Sequence, residues 1–274
     1  MTALQEKELE LLQIFVQICK QLQLRYYCVC GTALGAVKYQ GFIPWDDDVD
    51  VALPRDDYNI FLEKAPALLP EYLFLQNYKT DPAYPNIYCK LRDSRTTFIE
   101  KSVADLPINH GIYIDIFPLD GYPHAHYKQN ILEFHKKRYS HMLSSSFTEP
   151  PRSKKSAYIY HLLRFLRVHK ATQKVAKAYE KRISSHPIEG SDLICNHGNW
   201  QGKLEYAPKE QYGMGTDAVF EGLKVRVPEK YDAYLTQKYG DWRADLPLSQ
   251  QVGHHYCTVC DLEKPYTEYT QRSS

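Results

Sequence analysis

Residues 31–53 read GTALGAVKYQGFIPWDDDVDVAL, and Asp46, Asp47, Asp48 and Asp50 fall within five consecutive positions of that stretch. Carboxylates this close repel one another and tend to hold protons unless positive charge sits between them. A bound cation is the natural neutraliser. The stretch ends in DVDVAL, where acids alternate with apolar residues, and this period of two predicts a strand. Side chains on a strand alternate faces, which would send Asp46, Asp48 and Asp50 one way and Asp47, Val49 and Val51 the other. Two aspartates at i and i+2 can grip one hard cation, and Mg2+ takes one or two carboxylates while leaving its other positions to water and substrate phosphates.

Upstream, Leu4, Leu9, Leu11, Leu12, Phe15, Val16, Ile18, Cys19 and Leu22 recur at helical spacing and predict an amphipathic first helix. YYCVCG is a short β-prone run stopped by Gly31, and Thr32 follows where a helix could be capped. Downstream, Pro54 opens PRDDYNIFLEKAPALL, which reads as helical; YLFLQN, NIYCKLRD, TTFIE and GIYIDIFPLD read as strands. In the last of these, Ile112, Ile114 and Ile116 form one apolar face and place Asp115 on the other, making Asp115 the best candidate for a third carboxylate. Helix, strand, short helix, acidic strand, helix and further strands is an α/β or α+β order, with a mixed sheet flanked by helices.

The chain of 274 residues is 43% hydrophobic and 24% charged, which suits one large domain or one domain with an insertion. Its formal charge of +1 gives no global pull toward nucleic acid, so any electrostatic function must come from local clustering. The N-terminus is charged early and does not read as a signal peptide, and no run approaches the length of a membrane span. Seven scattered cysteines then point to reduced thiols in a cytoplasmic protein. Between His124 and Pro187 the balance shifts, with Lys136, Lys137, Arg138, Arg152, Lys154, Lys155, Arg164, Arg167, Lys170, Lys174, Lys177, Lys181 and Arg182 facing almost no acids. Within it, SAYIYHLLRFLRVHK has the pattern of a basic amphipathic helix able to lie on an anionic membrane; the alternative is a helical insertion with a solvated basic face.

Competing readings of the acidic cluster are weaker. An EF-hand loop needs glycine at its sixth position and glutamate at its twelfth, where Val51 and Asp57 stand. A solvated acidic turn sits badly with Ile43, Pro44, Trp45 and Val51 around it. Joined to the Gly31-Thr32 pair on a strand-to-helix turn, whose free N–H groups could cradle a phosphate, the cluster becomes considerably more specific.

GTALGAVKYQGFIPWDDDVDVALPRDDY, KLRDSRTTFIE, GIYIDIFPLDG, the late FEGLKVRVPEKYDAYLTQKYGDWRADLP and QVGHH together resemble the LicD family of phosphotransferases, which is related to fukutin-type proteins within the nucleotidyltransferase superfamily. The resemblance runs from about Cys30 to His255, interrupted by the basic segment. It implies a nucleotidyltransferase-type fold with a catalytic core over residues 1–123, a basic helical insertion over 124–187 and a part completing the catalytic domain over 188–274. It also implies transfer of phosphocholine from CDP-choline to a sugar hydroxyl of a cell-surface glycan precursor, such as teichoic acid or lipopolysaccharide. Gly31 and Thr32 match the position that holds donor phosphates, Asp48 and Asp50 the paired metal ligands, and Asp115 the third acid, shared between metal and general base. Asp46 belongs to the same string as a further metal contact, whereas Asp47 is set aside.

Lys38 stands where the family usually has arginine, keeping positive charge but not the bidentate fork. Lys90 and Arg92, two apart, could reach one phosphate face, or Arg92 could pair with an acid instead. The expected cofactor is Mg2+ or Mn2+, and choline's ammonium would want aromatic company from Trp45, Tyr113 or Trp242. In the tail, His254 or His255 is expected to close over the active site and touch phosphate; a zinc site made with Cys257 and Cys260 is the weaker alternative. Other CDP-linked alcohols such as ribitol or glycerol, a D-x-D glycosyltransferase and an inactive nucleotide-binding module remain as alternatives. The glycan acceptor is expected to be lipid-linked, which the basic insertion would suit as a peripheral contact at the inner membrane face.

Overall fold

The structure is a computed structural model, and it describes residues 1–148, 153–166, 172–198, 202–253 and 257–270. The first helix, α1 (Ala3–Gln21), starts in a capping box: Thr2 Oγ1 accepts from the Gln5 N–H, and Gln5 Oε1 accepts from the Thr2 N–H at 2.8 Å. Its buried stripe contains Leu11, Leu12, Phe15, Ile18 and Cys19, as the spacing predicts, and it lies against the central strands.

Those strands form a seven-stranded mixed sheet, which bears out the expected fold class. β1 (Tyr27–Cys28) pairs antiparallel with β2 (Asp50–Pro54), and β2 runs parallel to the long β6 (Ile112–Tyr122). Antiparallel to the other side of β6 lies β4 (Cys89–Asp93), followed by β3 (Leu73–Gln76). The far end of β6 carries β7 (Leu193–Asn196), which pairs with β8 (Tyr206–Pro208). Every residue of β2, β4 and β6 is buried, so these strands are covered on both faces. Two smaller pairings complete the strands: β5 (Thr97–Glu100) with β11 (Cys257–Asp261), and the hairpin of β9 (Thr216–Phe220) with β10 (Leu223–Val227).

The acidic strand begins later than the sequence pattern predicts. Pro44 and Trp45 form a turn closed by the Asp46 N–H donating to the Ile43 carbonyl at 2.9 Å, which leaves residues 46–49 irregular and starts β2 at Asp50. Strand alternation therefore does not govern Asp46 and Asp48. Thr32 is likewise not a cap: α2 (Cys30–Leu34) is capped by Val29 in extended conformation, and it continues as a π-helical turn over Gly35–Tyr39.

After β2, α3 (Arg55–Lys64) packs back on β2 and β6. Among the described residues between β6 and β7 lie α4 (His126–Ser146), α5 (Lys154–Phe165) and α6 (Thr172–Ile183). α4 and α6 share a second apolar cluster that includes Tyr139, Met142, Leu143, Val175 and Tyr179. The short α7 (Lys209–Tyr212) and α8 (Tyr231–Tyr239) close the other side, against α2. Among the described residues no helix is long and apolar enough to cross a membrane. All seven cysteines are free thiols, five of them buried.

One ion pair ties these parts together. Arg55, the first residue of α3, donates from Nε and Nη2 to the two oxygens of the fully buried Asp120 on β6, at 2.7 and 2.6 Å, and from Nη1 to Glu180 on α6 at 3.2 Å. Removing one partner of a buried, bidentate pair leaves the other charge uncompensated, which costs about 3–5 kcal/mol. Arg55→Met is therefore expected to lower unfolding free energy by about that amount in urea denaturation, and Arg55→Met/Asp120→Leu to recover much of the loss. A midpoint for Arg55→Met equal to that of the parent chain would refute the role given to this pair.

Candidate active site

The parallel register of β2 and β6 places Asp50 beside Asp115, and the antiparallel register of β6 and β4 places Asp115 beside Lys90. Cross-strand neighbours point to the same face, so the three side chains stand in a row on one side of the sheet. Asp50 and Asp115 are both buried, at 8% and 6% exposure, and open only into a cleft of about 450 Å³. Asp46 and Asp48 line the same cleft, with Cys30 and Gly31.

The backbone at Asp50 and at Asp46 is held from two different helices. The Asp50 N–H donates to Thr32 Oγ1 at 2.8 Å, which ties the start of β2 to α2. Gln5 of α1 donates from Nε2 to the Asp46 carbonyl at 2.9 Å. Gly31 is glycine because a Cβ there would stand 2.5 Å from Asp46 Oδ2, so the bare backbone is what lets this carboxylate approach. Just before it, Cys30 takes a left-handed φ of 50°, a conformation that costs a residue with a Cβ about 1 kcal/mol or more. The Cys30 N–H is meanwhile held by Tyr234 Oη of α8 at 3.0 Å.

The structure also adds an acid that sequence reasoning set aside. With residues 46–49 out of the strand, Asp46, Asp47 and Asp48 no longer alternate, and one carboxylate oxygen from each lies within 4.8 Å of the others. The turn at Pro44 is the signal that would have found Asp47, because it removes the period of two. A Cβ on Gly253 would lie 2.8 Å from Asp47 Oδ2, so the chain just ahead of His254 passes beside this cluster. His254 and His255 themselves lie outside the described residues. Cys257 and Cys260 are exposed on β11.

The remaining candidates divide. Lys38 lines the cleft, but its ammonium donates to the Ala244 carbonyl at 2.8 Å and pairs with Asp245 at 3.0 Å, so it fastens the 242–245 loop to the rim. Lys90 pairs with Asp115 at 3.0 Å and sits 3.2 Å above the centre of the Tyr113 ring. Arg92 does not face the cleft. It is fully buried, donating to Gln76 Oε1, to the Gly111 carbonyl at 2.6 Å and to Glu100 at 3.3 Å, which is the acid-pairing alternative, and it lines no part of the cleft. Thr32 lines no part of the cleft either, since its buried hydroxyl serves the Asp50 N–H. Tyr113 is excluded from a choline box because Lys90 and Arg92 already cover it.

Aromatic walls do surround the acids: Trp45 and Trp242 as expected, and Tyr39, Tyr88, Phe117 and Tyr239 in addition. Phe117 was legible in principle, standing two residues after Asp115 and hence on its face of β6. Tyr88, one residue before β4, packs on it with ring centres 4.6 Å apart.

Residues 23–157 match the family described as LicD/FKTN/FKRP, nucleotidyltransferase domain. The chain carries a LicD-family domain over these residues. It is 29% identical over 252 residues to a Haemophilus influenzae protein named lipopolysaccharide cholinephosphotransferase LicD, covering 90% of this chain and 92% of that one. An uncharacterized Rickettsia prowazekii protein, RP689, is 29% identical over 119 residues, covering 42% of this chain and 40% of its own. The LicD match of residues 23–157 contains every aspartate of the cleft cluster together with Asp115, and the longer match continues through the aromatic wall contributed by α8 and the 242–245 loop.

Behind the wall at Gly198 sits a buried group with a pH consequence. His197 is 1% exposed, with Nδ1 at 3.2 Å from the Tyr179 hydroxyl. Burial, reinforced by the positive charges of Lys136, Arg55 and His186, pushes its pKa well below the ordinary range, so the folded protein keeps it neutral. The unfolded chain takes up that proton near pH 6.5, so stability is full above this value and falls as pH drops through it, by up to about 1.4 kcal/mol per pH unit for one proton. Urea midpoints at about pH 7.5 and about pH 5.5 are expected to show this loss, with a smaller slope for His197→Asn. Equal slopes in the two proteins would remove His197 as the source.

Proposed function

We propose that this chain transfers phosphocholine from CDP-choline to a sugar hydroxyl of a lipopolysaccharide-type glycan, using a divalent cation held by its aspartates. The observation that carries this reading is the convergence of Asp46, Asp48, Asp50 and Asp115 in one aromatic-walled cleft. The chain around it aligns over nine tenths of its length with a protein named lipopolysaccharide cholinephosphotransferase LicD.

The donor set fits Mg2+ or Mn2+. It consists of carboxylate oxygens alone, which are hard ligands, and the Asp46, Asp47 and Asp48 oxygens are already gathered closely enough to share an ion. Asp48 and Asp50 would hold it, with Asp46, Asp47 and Asp115 around them. When bound, such an ion neutralises the diphosphate and the charge that develops on departing CMP.

The chain's own residues supply position and proton transfer. Asp115 faces the cleft and accepts the proton of the attacking sugar hydroxyl, held in place by the Lys90 ammonium at 3.0 Å. The walls exclude water and orient the donor, as in-line phosphoryl transfer requires. For the choline ammonium, Trp45 is favoured: Lys38 and Arg243 already lie over Tyr39 and Trp242, at 5.5 and 4.2 Å.

Asp48→Asn and Asp50→Asn are each expected to lower turnover by about a hundredfold or more while leaving the fold intact. Normal activity in either folded variant would sink the assignment. CDP-choline with Mg2+, at about a hundred times its dissociation constant, should stabilise the protein by about 2.7 kcal/mol, and EDTA should abolish the shift. Trp45→Ala should weaken CDP-choline by about tenfold while leaving CDP-ribitol and CDP-glycerol unaffected. A shift with one of those donors in place of CDP-choline would keep the chemistry and replace the alcohol.

A further inference from the structure

The helices between β6 and β7 carry a surface that the cleft does not use. Over residues 124–187 there are fourteen lysines and arginines against three acids, a net +11, whereas the entire chain carries +1 and the remainder therefore −10. The expected amphipathic helix is α5, and the structure shows which of its faces is free. Tyr160 is 5% exposed and turns inward, its hydroxyl donating to the Phe147 carbonyl at 3.1 Å. Tyr158, Leu162 and Phe165 stand at i, i+4 and i+7 on another face and are 71%, 42% and 84% exposed. Lys154 and Lys155, four and three residues before Tyr158, are exposed at the start of that stripe.

The same spacing recurs on α4. Tyr127, Ile131 and Phe134 are 63%, 41% and 65% exposed, and Lys137 and Arg138 are exposed one turn further on. Single exposed apolar residues are ordinary on a protein surface, but a tyrosine, a branched aliphatic residue and a phenylalanine in register on two packed helices are not scattered singles. A basic face that was merely solvated would have turned these six side chains inward, whereas they stand exposed beside the lysines and arginines.

The geometry points to these two stripes as the surface by which the protein docks on an anionic lipid bilayer, the rings and aliphatic chains entering the headgroup boundary while the surrounding lysines and arginines meet lipid phosphates. Charge complementarity selects this occupant: the apolar stripes lie within the one strongly basic part of an otherwise acidic chain. The surface lies on the helical segment and not in the cleft, so its test needs no catalysis and stands whether or not the transfer reading does.

The full chain would be sedimented with vesicles of phosphatidylglycerol and phosphatidylcholine, and with phosphatidylcholine alone. It is expected to pellet with the anionic vesicles and to be released as salt screens the attraction. Leu162→Ser/Phe165→Ser and Ile131→Ser/Phe134→Ser should each lower partitioning by at least about tenfold, with melting temperatures and CDP-choline-induced thermal shifts like those of the parent. Failure of the parent chain to bind anionic vesicles at low salt overturns the proposal, and parent-like partitioning of either double variant overturns the assignment of that helix. A concentration-dependent dimer that Leu162→Ser/Phe165→Ser breaks would assign the face to a second copy of the chain and overturn it as well.

Discussion

Asp50 and Asp115 stand side by side because β2 runs parallel to β6, and the cleft is organised around that pairing. Two buried carboxylates at adjacent strand positions are unfavourable without compensation. The Lys90 ammonium of β4 flanks Asp115, both carboxylate side chains open toward the cleft, and Thr32 of α2 fixes the backbone of Asp50. Each depends on an element that packs elsewhere. Lys90 is fixed over Tyr113, α2 is held by the Cys30–Tyr234 hydrogen bond to α8, and β2 is fastened through Arg55 to β6 and α6.

The acids' approach to one another sets what the neighbouring backbone must do. The turn at Pro44 lifts residues 46–49 off the sheet and turns three carboxylates toward a common point. Gly31 then has no room for a side chain, and the following helix begins from a left-handed Cys30. Strain of this kind persists where surrounding packing over-determines it, and here it lies at the mouth of the site. The β9–β10 hairpin supplies part of that packing: Glu221 accepts from the Phe42 N–H at 3.1 Å and stands so near Gly41 that a Cβ there would meet it at 2.1 Å.

What was legible in the sequence was what rests on strand period. Asp115 on the opposite face from Ile112, Ile114 and Ile116, the stripe of α1 and the mixed sheet itself all follow from alternation or from helical spacing. The misread or undecided residues depend on partners distant in the chain. For Arg92, two residues from Lys90, the sequence left a phosphate contact and an acid pair both open, and Gln76, the Gly111 carbonyl and Glu100, which arrive from other elements, decide for the second. Thr32 looked like a cap, but its true partner, the Asp50 N–H, is eighteen residues away. Asp47 was lost because one proline-containing turn cancels the period on which its exclusion rested.

The distribution of charge gives the last constraint. An acidic catalytic part cannot attract an anionic nucleotide donor by its own field, since its residues sum to −10 outside the helical segment and its cleft is lined by carboxylates. Lys38 and Lys90, two cationic candidates that remain near the cleft, are each committed, one to Asp245 and one to Asp115. Under the proposed transfer, the attraction for a diphosphate would come with an ion held by the aspartates, which would make donor affinity conditional on metal in a way that a lysine- or arginine-lined phosphate site would not be. Segregating the positive charge onto α4, α5 and α6 leaves the cleft's aspartates the dominant charge there, so the acidity of the cleft and the basicity of the helical segment are two sides of the same partition.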